Sequence, residues 1–235
     1  MDEVPEGFDL DALLAPLAGE APAGVDLRED SSPQSLYYRL RDARAEARAA
    51  ERALDAPDPD GTPPSAAALP QLWRSIRDLG IEAIGGRSKD LEIAAWLTEA
   101  LLRSDGLVGF AAGVRLMHGL VEGFWDDLFP LPDEDGIATR VGPVGGLNGV
   151  SGDGTLSQPL RKLTLFVRPD GEKLQFWQFE QSSDLAAIVD PERRQQRIDA
   201  GVVPFETLES EARAAGAAPF AALRDEAVAA AAAWQ

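Results

Sequence analysis

Hydrophobic residues recur at helical spacing along most of the chain, and their pattern predicts a mainly α fold. An early apolar patch, Phe8, Leu10, Leu13, Leu14 and Leu17, is interrupted by Pro16, Pro22 and Gly24. It predicts a turn or two of helix and then an extended arm, together an acidic leader over residues 1–32. Ser31 or Ser32, with Pro33 in the first turn, predicts the start of a helix running to Leu54. Leu36, Tyr37, Leu40, Ala43, Ala47 and Leu54 share its inner face. Arg39, Arg41, Arg44, Arg48 and Arg52, interleaved with Asp42, Glu46 and Glu51, are expected on a solvated face. Residues 55–66, rich in Pro and Asp, are expected to form a mobile loop. A third helix, with Leu69, Leu72, Trp73, Ile76 and Leu79 or Gly80 inward, is expected to end at Gly85-Gly86.

The centre of the pattern is a pair of helices. Ser88 is expected to cap a segment running to Arg103, with Ser104-Asp105-Gly106 turning the chain into a second one over Leu107–Phe129. The first is apolar except for a stripe of Glu92, Glu99 and Arg103; the second has its polar stripe at Arg115, His118, Glu122 and Asp126. Helices apolar over most of their circumference belong inside a fold. Gly109, Gly113, Gly119 and Gly123 form two pairs four residues apart, each glycine costing about 1 kcal/mol relative to alanine in a helix, which predicts closely packed backbones. Trp96, Leu101, Phe124 and Trp125 are expected in the core. The predicted fold is therefore a multi-helix bundle around a central antiparallel pair.

Pro130–Thr155, with its prolines and glycines, is expected to end the first unit, giving domains of 1–150 and 151–235. Lys162–Val167 and Lys173–Phe179 alternate around Arg168-Pro169-Asp170-Gly171 and predict a small β-hairpin near 162–179. Three further helices are expected near Asp184–Ala200, Pro204–Ala215 and from Pro219 onward, the last with Phe220, Leu223, Ala227, Ala230 and Trp234 on one stripe.

Charge narrows the partners. Forty acidic against 22 basic residues give a net charge of −18, which disfavours nucleic acid and anionic membrane surfaces. With no cysteine, disulfides, thiolate zinc sites and thiol nucleophiles are excluded. The N-terminal residues lack a basic and an apolar segment, and the longest apolar run, Ala227–Trp234, is far short of the roughly 20 residues a bilayer requires. A cytoplasmic location without membrane insertion is expected.

Candidate chemistry is weak. Gly80–Ser88 imitates a phosphate loop, but Gly86 stands where lysine is needed and no strand precedes it. Gly142–Gly149 lacks the dinucleotide spacing and reads as a flexible turn. Asp58–Gly61 and Asp133–Gly136 imitate the middle of a calcium loop without its first and twelfth ligands. His118 is the single histidine, on a polar stripe. No cofactor, metal or catalytic residue is assigned; a nucleotide- or metal-dependent enzyme remains the alternative from another class.

Several segments together resemble the N-terminal domain of the ImpA/TssA family of bacterial type VI secretion systems. They are Leu13–Leu17 with Ala21–Arg28, then Tyr38 and Leu40; Ser88–Leu97; Gly106–Phe110 with Gly119-Leu120; Phe124–Pro130; and Arg140 with Leu147-Asn148. Arg197–Gly201 and Phe205-Glu206 are similar to a less distinctive stretch downstream. The resemblance implies a non-enzymatic assembly protein whose partners are proteins of the baseplate, sheath and tube, or membrane complex. The alternative within the same system is an accessory protein that stops or anchors the sheath. Family members usually continue into a ring-forming C-terminal region, so a homo-oligomer is expected only if these residues belong to a longer chain. The matching residues are Gly24, Asp26, Leu27, Arg28, Ser88, Lys89, Asp90, Leu91, Trp96, Gly106, Trp125, Pro130 and Arg140. Two roles are open to them: they pin the arm against the start of the central helix, or they form a partner-binding patch.

Overall fold

The computed structural model describes residues 4–56, 66–150 and 152–235, so most of the loop expected at 55–66 lies outside the described residues. The fold is mainly α, with ten helices and one two-stranded antiparallel sheet among the described residues. The chain divides into two compact units, Met1–Leu156 with Ala232–Gln235, and Ser157–Ala231.

The first unit holds α1 (Leu10–Leu14), α2 (Leu36–Asp55), α3 (Leu69–Gly86), α4 (Leu91–Phe124) and α5 (Ala138–Asn148). Phe8, Leu13 and Ala23 anchor the leader by burial. Ser35, not Ser31 or Ser32, caps α2, its hydroxyl accepting from the Tyr38 N–H. Pro33 therefore precedes the helix. On α3 the inward position is Gly80 rather than Leu79, and a Cβ on Gly80 would come 3.1 Å from the Leu97 Cβ.

Helix α4 is the expected pair, read as one element broken at Gly106, where φ is 63° and ψ −145°. Only glycine adopts this conformation without strain, and it folds the second limb back along the first. A Cβ on Gly109 would lie 2.3 Å from the Leu101 carbonyl oxygen, and one on Gly113 2.5 Å from the Thr98 hydroxyl. Those two glycines set the backbone approach of the limbs. The other pair does something else: Gly119 faces Leu14 of α1, and Gly123 faces open space. Ile93, Leu97, Leu101, Leu116 and Leu120 are fully buried in this hairpin. By length and apolarity α4 matches a bilayer span, but it folds back at Gly106 and most of its apolar window is buried as core.

Two expectations fail beyond it. The segment expected as a flexible turn, Gly142–Gly149, lies largely within α5, which carries Pro143 inside and ends at Gly149 in the left-handed conformation with φ 88°. Burial of Leu147 and Arg140 on one face overrides the poor local propensity. The second helix of the central pair ends at Phe124 rather than Phe129.

The second unit contains α6 (Ser157–Arg161), β1 (Thr164–Val167), β2 (Lys173–Gln175), α7 (Phe176–Ala186), α8 (Pro191–Asp199), α9 (Phe205–Ala215) and α10 (Ala218–Trp234) as far as Ala231. The hairpin pairs Phe166 with Leu174 and Val167 with Lys173, and Gly171 at φ 88° closes the turn. The second strand stops at Gln175 rather than continuing to Phe179. Gln175 and Gln178 form a reciprocal capping box that starts α7 there. The helix expected over Asp184–Ala200 is two, because Asp190 caps a new start with Pro191 in its first turn. Phe166, Leu174 and Leu208 make the small core.

Candidate functional site

The matching residues of the leader and of the central helix meet at one place. Ser88–Asp90 run extended between two neighbours. On one side the Lys89 N–H donates to the Ala23 carbonyl at 2.7 Å and the Val25 N–H to the Arg87 carbonyl at 3.2 Å. On the other, the Leu91 N–H donates to Phe129 at 2.7 Å and the Phe129 N–H to Lys89 at 2.9 Å. Gly24 makes the first pairing possible: its φ is 81°, and a Cβ there would come 2.1 Å from the Arg87 carbonyl oxygen. Ser88 is thus a buried strand-like residue rather than the expected cap, and its hydroxyl has no partner among the described residues.

Asp90 caps α4 instead. Its Oδ1 accepts from the Glu92 and Ile93 N–H groups at 2.9 and 3.0 Å, satisfying donors that a helix start leaves free and setting a negative charge at the positive end of the helix dipole. Arg28 reaches over from the arm. Its guanidinium donates to Asp90 at 2.6 and 3.3 Å, to Glu92 at 2.6 Å and to Asp26 at 2.9 Å, and lies 4.7 Å from the Tyr37 ring centroid. Burial alone would lower the Arg28 pKa, but the hydrogen bonds and charge of Asp90 and the bonds to Glu92 and Asp26 raise it. Tyr37, whose hydroxyl donates to Glu92, is pushed up to about 12 by burial and then by the Glu92 charge.

Lys89 is fully buried beside this network. Its ammonium donates to the Leu13 carbonyl at 2.6 Å and the Ile84 carbonyl at 3.0 Å, and lies 5.5 Å from the Phe124 ring centroid. Both carbonyls belong to last helical turns, of α1 and α3, where the helix dipole is negative. Burial pushes the Lys89 pKa down.

The remaining matching residues are distributed around this centre. Leu91 is buried, Leu27 half-buried, and Trp96 is buried with its ring 5.5 Å from that of Tyr37. Gly106 turns the hairpin at the other end of the limb. Arg140, 3% exposed, donates to the Pro130 carbonyl at 3.0 Å and the Trp125 carbonyl at 2.7 Å. Trp125 corrects the expectation of a core residue: it is 38% exposed, its ring lying over the Arg140 guanidinium. The helix ends one residue before it, so the helical stripe no longer decides where it points, and Leu128 takes the buried position. Phe124 is half-buried. His118 is exposed, 3.4 Å from Glu122. Gly80–Gly86 lie inside α3, and Asp133 bonds the Asp135 N–H and the Thr139 hydroxyl.

A second polar centre was not anticipated. Glu99 is fully buried and takes Arg44 at 2.7 Å, Arg103 at 3.4 Å and Arg48 at 3.8 Å. Arg103 in turn holds Glu51 at 2.7 and 2.9 Å, over the face of Trp73. Arg44 and Glu51 therefore turn toward α4, and Arg48 reaches the same acid while staying partly in solvent. A polar stripe on an otherwise apolar helix needs partners when buried, and the arginine-rich face of α2 supplies them.

The family model described as "ImpA, N-terminal, type VI secretion system" matches residues 14–149, more than half of the chain. The chain belongs to the ImpA N-terminal family. One relative, type VI secretion system component TssA1 of Pseudomonas aeruginosa, is 30% identical over 156 residues, 66% of this chain and 40% of the relative. The chain thus spans about 40% of the length of that relative. A solved N-terminal domain that includes the ImpA_N region of the TssA component from Burkholderia cenocepacia superposes with a TM-score of 0.73 at 28% identity, covering 98% of this chain and 82% of the other. Both proteins are type VI secretion components, and the segment that the family model matches ends at the close of α5.

Proposed function

We propose that this ImpA N-terminal chain is a non-enzymatic assembly module that acts in the cytoplasm on proteins of the secretion baseplate or tail. One observation carries the reading: the charged matching residues are spent inside the fold. Arg28 and Asp90 satisfy each other, Lys89 is capped by two backbone carbonyls, and Arg140 by two more. Groups held this way stiffen a scaffold and leave no ionised side chain free for proton transfer at that place. The module then works through its outer faces. The relatives support the system, and the scaffold supports docking as the mode of action.

The test is co-purification from secretion-competent cells with this chain tagged, against cells lacking the gene. Enrichment of baseplate, sheath or tube proteins supports the reading, and enrichment of sheath alone at the distal end of assembled tails would favour a stopping or anchoring role. A saturable thermal shift with nucleotides or divalent ions, without any secretion protein recovered, would turn the reading toward an enzyme.

A further inference from the structure

One end of the first unit carries exposed apolar side chains that the scaffold does not use. Trp125, Leu131, Ile137 and Val141 are 38%, 48%, 54% and 42% exposed. Arg140 ties them together. Its guanidinium lies 5.0 Å from the Trp125 ring centroid and bonds the carbonyls of Trp125 and of Pro130, the residue before Leu131. Ile137, the cap residue before α5, and Val141 within it lie on either side of Arg140 in the chain, joined by a 3.1 Å backbone bond and so one turn apart on one face. Single surface hydrophobics need no explanation, but four held around one buried arginine form a patch.

The rim is of one sign. Asp126, Asp127, Glu134 and Asp135 are exposed, and their carboxylates bond nothing among the described residues. Between residues 116 and 160 the sequence has one Lys or Arg, and it is the inward-turned Arg140.

We propose that this face docks a cationic amphipathic segment of a secretion-apparatus protein, apolar side chains seating on Trp125, Ile137 and Val141 while lysines or arginines meet the rim. The inference rests on the assembly reading and names the surface through which it acts. Charge selects the occupant: a second copy would bring the same four acids face to face, and nucleic acid or anionic lipid would be repelled, whereas a basic helix gains attraction along the whole rim.

The purified chain is titrated calorimetrically with a model helix carrying leucines on one face and lysines on the other, and with the same helix carrying glutamates for lysines. The lysine helix binds and the glutamate helix does not. Ile137→Asp with Val141→Asp weakens binding at least tenfold, and so does neutralising Asp126, Asp127, Glu134 and Asp135 together. Neutralising Glu29, Glu46, Asp78 and Glu82 instead leaves affinity within twofold. If that control weakens binding as much as the rim does, the attraction is net charge alone and the surface is refuted. In cells, a fluorescent version of the chain marks the secretion apparatus, and the Ile137→Asp, Val141→Asp version does not while keeping the parent melting temperature; Leu131→Ser serves if that pair unfolds. Retained foci would overturn the surface and leave the assembly reading standing. No foci from the parent chain would overturn the assembly reading itself.

Discussion

Removing the Arg28 side chain tests whether the leader is clamped to the core. In Arg28→Ala the Asp90 carboxylate, fully buried, loses contacts of 2.6 and 3.3 Å, and Glu92 and Asp26 lose theirs. Breaking a buried pair by deleting one partner costs about 3–5 kcal/mol. Two features reduce that figure. The Arg28 side chain is 24% exposed, so water screens part of the interaction, and Asp90 keeps its bonds to the Glu92 and Ile93 N–H groups. A loss of about 2–3 kcal/mol remains, partly compounded by the lost packing on Tyr37. For a chain of this size that lowers the melting temperature by roughly 4–12 °C. Circular dichroism melts of Arg28→Ala, Asp90→Asn and the double variant provide the measurement. Because the two residues satisfy one another, the double variant should be less destabilised than the sum of the singles, with a coupling of at least about 1 kcal/mol. A melting temperature within a degree of the parent, with additive singles, would refute the clamp and return these residues to the role of a partner-binding patch.

Other substitutions probe the same architecture. Gly24→Ala must place a Cβ 2.1 Å from the Arg87 carbonyl at a φ of 81°, so it should cost about 3 kcal/mol or more and raise proteolysis of the leader. Gly113→Ala meets the Thr98 backbone at 2.8 Å and should destabilise, while Gly123→Ala meets nothing and should stabilise by about 0.5–1 kcal/mol; urea titrations separate them, and equal effects would disprove the limb contact. Lys89 gives a pH signature. Its pKa is lowered on folding, so between that value and the ordinary one near 10.4 the unfolded chain holds the extra proton and stability climbs with pH. Lys89→Met should abolish that climb; an unchanged slope in denaturation at stepped pH would show that Lys89 is not the group responsible.

What could be read beforehand depended on whether local pattern and tertiary demand agreed. The α4 hairpin was legible because Gly106 supplies the turn and the flanking leucines and alanines supply two apolar limbs at the right length. Ser88 misled because its neighbours use the backbone for strand-like pairing, which postpones the helix to the better-placed Asp90. The solvated face assigned to α2 failed at Arg44 and Arg48, since periodicity marks which residues share a side but not that a buried acid such as Glu99 waits opposite. Helix α5 was hidden by Gly142, Pro143, Gly145 and Gly146, residues whose cost in a helix is outweighed only once Arg140 and Leu147 find their burial sites. Of the site, the sequence leaves two roles open to its polar residues, and pairing among some of Asp26, Arg28, Lys89 and Asp90 is one of them; that Arg28 takes Asp90, and that Lys89 takes a carbonyl cradle, is not legible, because backbone acceptors leave no trace in composition.

That cradle bears on where such a domain can be cut. The stretch matching the family model starts at residue 14, yet one of the two oxygens quieting the Lys89 ammonium belongs to Leu13, and Phe8 is sunk in the core. Trimming the gene to the recognisable stretch would strand a positive charge in an oily interior and open the floor beneath it. The ten or so residues ahead of the signature are therefore a working part of the fold, and a shortened version that misbehaves would be reporting a missing carbonyl rather than a missing partner.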